Sequence, residues 1–201
     1  MKKNTSLLAF TVLIAAGFMA ACNEKATVQS ASTKEASYGG YESPELWGEH
    51  LVTVSACNDC HSPKKMTPQG PDIDSSRLLS GHPASDPDPA VNRKDLESKG
   101  LTTTGDLTTW VGPWGVSYTA NLTSDPTGIG TWDEGRFIYA IRQGKFKGSP
   151  GARNLLPPMP WQMYRNMRDD ELKAIFAYLK STKPIRNVVP EPKPPIAATQ
   201  H

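Results

Sequence analysis

The first apolar feature of the chain is a run from Leu7 to Ala21, preceded by Lys2 and Lys3. It is too short to span a bilayer with flanks to spare, so residues 1–21 are expected to be an export signal. Residues 22–41 hold mostly Ser, Thr, Ala, Lys and Glu and are expected to be a flexible tether, because so few large apolar groups cannot offset the entropy of ordering. Ser43 before Pro44, followed by Leu46, Trp47, Leu51 and Val54, predicts a short helix leading to Cys57. From Ser62 to Gly130 neither a period of 3.6 nor one of 2 is sustained, so loops should dominate, with one possible turn of helix near Asn92 to Lys99. Thr131 and Glu134 read as a capping box for a helix that carries Phe137, Ile138 and Ile141 and stops at Gly144. Four prolines between Ser149 and Met167 exclude a long helix or a central strand and predict an ordered loop. A last helix starts near Asp169, presents Leu172, Ile175, Phe176 and Leu179 on one face, and ends before Pro184. The proline-rich remainder, 185–201, is expected to be an extended, mobile tail, which leaves 42–184 as the folded domain.

Composition agrees with one domain plus additions: 201 residues, 37% hydrophobic and 21% charged. The 22 basic and 20 acidic residues balance once Lys2 and Lys3 leave with the signal. A near-neutral chain without a basic stripe gives no reason to expect nucleic acid as a partner. The apolar run closes on "FMAAC", residues 18–22, which resembles the bacterial lipobox. That resemblance implies lipidation of Cys22, which would otherwise be an exposed thiol in an oxidising compartment. Cleavage near Ala20 with a free Cys22 is the alternative.

The chemistry concentrates in "CNDCH", Cys57 to His61. Two thiols three apart can add to both vinyl groups of a haem while the adjacent imidazole reaches the iron. A zinc site would draw on Cys57, Cys60 and one or two of His50, His61 and His82, without a second close pair of ligands. A redox dithiol should begin a helix in an α/β setting, whereas here a helix precedes the cysteines. A disulfide across three residues would be strained and would staple little. Covalent haem is therefore the preferred reading.

An electron carrier usually keeps its iron six-coordinate, so a second axial ligand is sought among Met66, His82, Met159, Met163, Met167 and His201. Met159 is favoured because the prolines of "LLPPMPW" stiffen the backbone on both sides of it. Met163 and His82 are the alternatives, and Met163 and Met167 could equally be core packing. His61 also needs an acceptor for its other ring N–H, and the carbonyl of Pro71 is the expected one.

Together these features resemble the class I cytochromes c: a helix into CxxCH, a variable middle, a helix, a methionine loop and a C-terminal helix, over residues 41–184. "YTANLTSDPTGIGTWDEGRFIYAIRQG" and "LLPPMPWQMYRNMRDDELKAIFAYLKS" are similar, more narrowly, to exported bacterial cytochromes c related to the haem subunits of membrane-bound alcohol and sugar dehydrogenases. Those subunits often carry several CxxCH sites, and this chain has one. Arg168 stands where such sequences usually cap the last helix with Ser or Thr, leaving Asn166 or Asp169 to do so.

The resemblance implies an all-α cytochrome c fold, with few short helices around one covalent haem c, a long loop-rich insertion, and the last helix crossing the first. It also implies haem-propionate contacts near Trp114, Tyr118 and Asn121, for which loop anchoring is an equal alternative. The function implied is transfer of one electron between redox proteins, a dehydrogenase or terminal oxidase among them, without a small-molecule substrate. The chain would be lipid-anchored and face the periplasm, with the choice of membrane open. A haem enzyme or sensor with an open distal site, for peroxide, nitrite or a diatomic gas, is the second reading, and a docking lipoprotein the third.

Overall fold

A computed structural model describes residues 38–88, 90–99 and 102–196. The export signal, Cys22, most of the tether and His201 lie outside the described residues. Within the described residues, the end of the expected tether already contacts the fold: the Tyr41 N–H donates to the Tyr38 carbonyl (2.9 Å), and the Tyr41 ring packs on His50.

Helix α1 (Pro44–Val54) starts as its sequence predicts, with Ser43 Oγ accepting the Leu46 N–H at 3.2 Å. It buries Trp47, Gly48, Leu51 and Val52 against α6 (Asp169–Ser181), which buries Leu172, Ala174, Ile175 and Leu179 in return. The two backbones meet at Gly48, where a Cβ would stand 1.9 Å from the Ala174 carbonyl oxygen. Each large aliphatic side chain on this seam contributes roughly 1.5–3 kcal/mol by leaving water. Phe137 and Ile141 of α4 (Glu134–Gln143) and the loop residues Leu79 and Ile129 complete the same core.

Two cap assignments change. Helix α4 begins later than the expected capping box, because Asp133 accepts the Arg136 N–H at 2.7 Å and Thr131 lies in the preceding turn. At α6 the cap position is Arg168, which has no acceptor to offer. Glu171 reaches back to the Arg168 N–H instead (2.8 Å), while the guanidinium pairs with Asp170 (2.9 Å).

The expected all-α architecture gives way to a mixed one. Helices α2 (Cys57–His61), α3 (Arg93–Lys99) and α5 (Trp161–Tyr164) are joined by two small antiparallel sheets. Strands β1 (Lys64–Thr67) and β2 (Gly70–Ile73) form a hairpin, and β3 (Thr102–Thr103), β4 (Thr109–Gly112) and β5 (Gly115–Tyr118) form a sheet in that order. Both tight hairpins read x-Pro-x-Gly, "TPQG" and "GPWG", with proline supplying φ at the first central position. Val111 and Val116 point into the interior, each about 1% exposed.

The tail is the second correction. Residues 185–196 are held along their length and are not a mobile extension: Val116 and Lys193 exchange both backbone hydrogen bonds, at 2.9 and 3.0 Å. The Arg93 guanidinium donates to the Pro194 carbonyl (3.0 Å), and the Ile196 N–H donates to Glu97 (2.7 Å). Polyproline-like chain exposes its backbone polar groups, so it pairs readily with an open sheet edge. Among the described residues no helix is long and apolar enough to cross a membrane.

Candidate functional site

After α1 the backbone turns through Ala56 in the left-handed region (φ 57°) and enters the single turn of α2. That turn carries Cys57 and Cys60 as free thiols with His61 directly after them. Burial pushes the Cys57 thiol up to about 11, and burial with the Asp59 carboxylate raises Cys60 as well. Neither sulfur is a ready thiolate, the reverse of what a redox dithiol requires. Among the described residues no three His, Cys, Asp or Glu side chains cluster to hold a metal ion, so a zinc centre lacks its donors.

His61 is fixed from behind. Its Nδ1 lies 2.8 Å from the carbonyl oxygen of Ala120, and not beside Pro71, which sits in β2 opposite Met66. The correction follows from the hairpin: β1 and β2 turn Pro71 away, while the loop after β5 brings Ala120 against the histidine. With Nδ1–H donating to a carbonyl, Nε2 is the free lone pair, and it makes no hydrogen bond to the described residues. Burial lowers the imidazole's proton affinity, the Ala120 bond opposing it, which favours the neutral form needed for ligation.

The proline loop that carries Met159 is anchored at three points. The Leu155 N–H donates to the Gly144 carbonyl at the end of α4 (2.7 Å). Ser117 Oγ donates to the Pro157 carbonyl (2.7 Å), and the Tyr164 hydroxyl donates to the Ser55 carbonyl just before the CNDCH turn (2.6 Å). The last bond ties the methionine loop to the cysteine turn across 109 positions of sequence. Met159 and Cys57, both half-buried, pack on the same apolar cluster, as does Met167. Met163 and Met66 face solvent, 72% and 79% exposed.

His82 is held at Nδ1, as His61 is. It is 2% exposed, tilted over the Tyr118 ring, and its Nδ1 lies 2.9 Å from Thr108 Oγ1 and 3.0 Å from Thr109 Oγ1. Thr108 donates its own proton to Asp106 (2.8 Å), so it accepts from His82 Nδ1–H; Nε2 is buried without a partner among the described residues.

The polar atoms of the three residues expected near propionates already have protein partners. Trp114 Nε1 donates to Ser117 Oγ (3.1 Å), extending the chain of bonds that reaches Pro157 and the Met159 loop. The Tyr118 hydroxyl donates to Asp88 (2.6 Å). Asn121 Nδ2 donates to the Ile185 carbonyl (2.8 Å), and its Oδ1 accepts from Thr123. These are loop anchors. Sequence reasoning missed Ser117 and Ala120 as members of the site, because their roles rest on pairings between distant segments that carry no local period.

The donor set fits a covalently attached haem: two protonated thiols at the spacing that spans both vinyl groups, an imidazole held at Nδ1 with Nε2 free, and a thioether on the same apolar wall.

No family model matches the chain. Three curated relatives do, over partial lengths. A subunit of the nicotinate dehydrogenase of Pseudomonas putida is 40% identical over 79 residues, 39% of this chain and 6% of that protein. The gluconate 2-dehydrogenase cytochrome c subunit of Pantoea cypripedii is 37% identical over 67 residues, 33% of this chain and 14% of the relative. The fructose dehydrogenase cytochrome subunit of Gluconobacter japonicus is 35% identical over 83 residues, 40% of this chain and 16% of the relative. The matched stretches thus span at most 16% of any of these relatives' own length. Over those stretches the chain is similar to cytochrome subunits of dehydrogenases.

Proposed function

We propose that this chain is a single-haem c-type cytochrome that carries one electron between membrane-associated redox partners in the cell envelope, one of them a dehydrogenase. The observation that carries the reading is the pairing of a fixed His61, its Nε2 unpartnered among the described residues, with the CNDCH thiols and a braced Met159 loop on one apolar wall. When bound, the haem supplies the one-electron Fe(III)/Fe(II) couple. Cys57 and Cys60 would hold it by thioether bonds, His61 Nε2 and Met159 Sδ would be the side-chain donors to its iron, and Ala120 fixes the imidazole's tautomer and plane. The three anchors of the Met159 loop keep its sulfur from moving, which lowers the reorganisation that each electron transfer demands.

The similarity to cytochrome subunits of gluconate and fructose dehydrogenases supports a dehydrogenase as donor and an electron-transfer role without a catalytic one. Lipidation at Cys22, with the tether giving reach, would keep the domain near its partners at the periplasmic face.

Intact-mass measurement of the exported protein tests the attachment. One haem per chain is expected, resisting acid-acetone extraction in wild type and lost in the Cys57→Ser, Cys60→Ser double variant. An extractable haem, or none, rejects the assignment.

A further inference from the structure

The geometry points to Asn187, in the segment after α6, as a positioning residue for the axial histidine. The inference rests on the haem reading above and extends it to a residue remote in sequence.

Ala120 has only a methyl side chain, so its carbonyl is aimed at His61 Nδ1 by its neighbours. Upstream, the Thr119 carbonyl accepts the His82 N–H (3.0 Å); downstream, the Leu122 N–H donates to the Leu79 carbonyl (2.8 Å). Segments 79–82 and 119–122 therefore run together, and Gly81 neighbours both His61 and Ala120. The Gly81 N–H donates to the His61 carbonyl (2.8 Å), while a Cβ at Gly81 would stand 2.5 Å from the Thr119 oxygen and the Ala120 carbonyl carbon. The Gly81 backbone is thus bonded to His61 and lies close against the Thr119–Ala120 peptide.

Asn187 brackets that glycine. Its Nδ2 donates to the carbonyls on either side, Ser80 (2.7 Å) and His82 (2.9 Å), and its Oδ1 accepts the Ala84 N–H (3.0 Å). Its own N–H is tied to Thr127 Oγ1 (3.0 Å), and the nearby Ile185 carbonyl receives Asn121 Nδ2 (2.8 Å), next to Ala120. Only a carboxamide of this length offers two donors and an acceptor in one plane. Aspartate keeps the shape and turns both donors into acceptors facing carbonyls; leucine keeps the volume and satisfies none of the three.

A short Nδ1–H···O bond increases electron donation from the imidazole and stabilises Fe(III). Loosening the bracket lengthens that bond and favours Fe(II). Intact mass first establishes that each protein carries its haem, since its absence from wild type would reject the functional reading and not this inference. In haem-bearing Asn187→Leu and Asn187→Asp, the reduction potential should rise, giving a several-fold higher Fe(II) to Fe(III) ratio at a fixed applied potential. The His61 Nδ1–H of the reduced protein should exchange with water about tenfold faster, the change expected when one net hydrogen bond of local stability is lost. Thr182→Val removes an anchor at the end of α6, just before the tail, its bonds to Ser124 and Leu179, without touching 79–82 or 119–122. It should lower the melting temperature and leave potential and exchange unchanged. An unchanged potential and exchange in either Asn187 variant, or an equal shift in Thr182→Val, overturns the inference. In unmodified protein the Asn187 carboxamide protons and the His61 ring proton should show matched opening free energies. A carboxamide that opens far more readily than the ring proton also overturns it, whatever the variants do.

Discussion

At the scale of single residues, burial and hydrogen bonding separate the plausible donors by exposure and by which of their atoms are already bonded. Six candidates for the second axial position stand in the sequence, and spacing alone ranks them weakly. The structure sets Met163 and Met66 in solvent, packs Met159 on the wall shared with Cys57, and ties His82 Nδ1 to two threonines. That last arrangement has a pH signature. Asp86, Asp88, Asp106 and Tyr118 face or adjoin the ring, and burial lowers the imidazole's affinity for protons despite the three carboxylates. Burial pushes Asp88 and Asp106 up, but bonds from Lys193 and Tyr118 to the first, and from Thr104 and Thr108 to the second, outweigh it and hold both below the usual carboxylate range. The folded state thus binds fewer protons at His82 than the unfolded chain does. Its contribution to stability is full above about pH 6.5, the ordinary histidine value, and is lost as pH falls below it toward the depressed folded value. Denaturant titrations of haem-loaded protein should lose up to about 1.4 kcal/mol per pH unit in that window. His82→Gln should flatten the slope, and an equally steep slope in that variant would refute the assignment.

At the scale of elements, the crossing of α1 and α6 holds the frame on which the cysteine turn is mounted. A Cβ at Gly48 would sit 1.9 Å from the Ala174 oxygen, so Gly48→Ala must push the helices apart. Overpacking of this kind costs about 1–3 kcal/mol. Calorimetry should show a melting temperature lower by several degrees with haem attachment intact; an unchanged melting temperature would mean that the two backbones do not approach this closely. The longer helices were legible: Leu172, Ile175, Phe176 and Leu179 announce α6, and Ser43-Pro44 announces α1. The strands were not, because segments of two to four residues are too short to display an alternation, and their real signature was the repeated x-Pro-x-Gly turn. Thr131 and Glu134 fit a capping box in spacing, yet Asp133, two places nearer the helix, is the residue whose carboxylate meets the free N–H.

At the scale of the whole molecule, composition predicts mobility where the described fold provides order. Proline and polarity suggest a loose tail over 185–201, but residues 185–196 find an unpaired sheet edge at Val116 and open carbonyls at Ser80 and His82. The proposed attachment motif is legible in five consecutive residues, whereas the residues proposed to aim it, Ser117, Ala120, Tyr164 and Asn187, come from segments far downstream along the chain. No local pattern announces such pairings. The proposed lipid anchor belongs to this scale too. Cys22→Ser should release the protein from the membrane fraction into the soluble periplasmic fraction with its absorption spectrum unchanged, and membrane retention of that variant would remove Cys22 as the anchor. The central claim, that His61 and Met159 ligate one haem iron from opposite sides, is tested most directly by the far-red absorption of the oxidised protein. A methionine-sulfur-to-iron charge-transfer band should be present in wild type and Met163→Ala and absent from Met159→Ala, which alone should bind carbon monoxide readily when reduced. A wild type that lacks the band and binds carbon monoxide, or a band that survives Met159→Ala, would contradict the account.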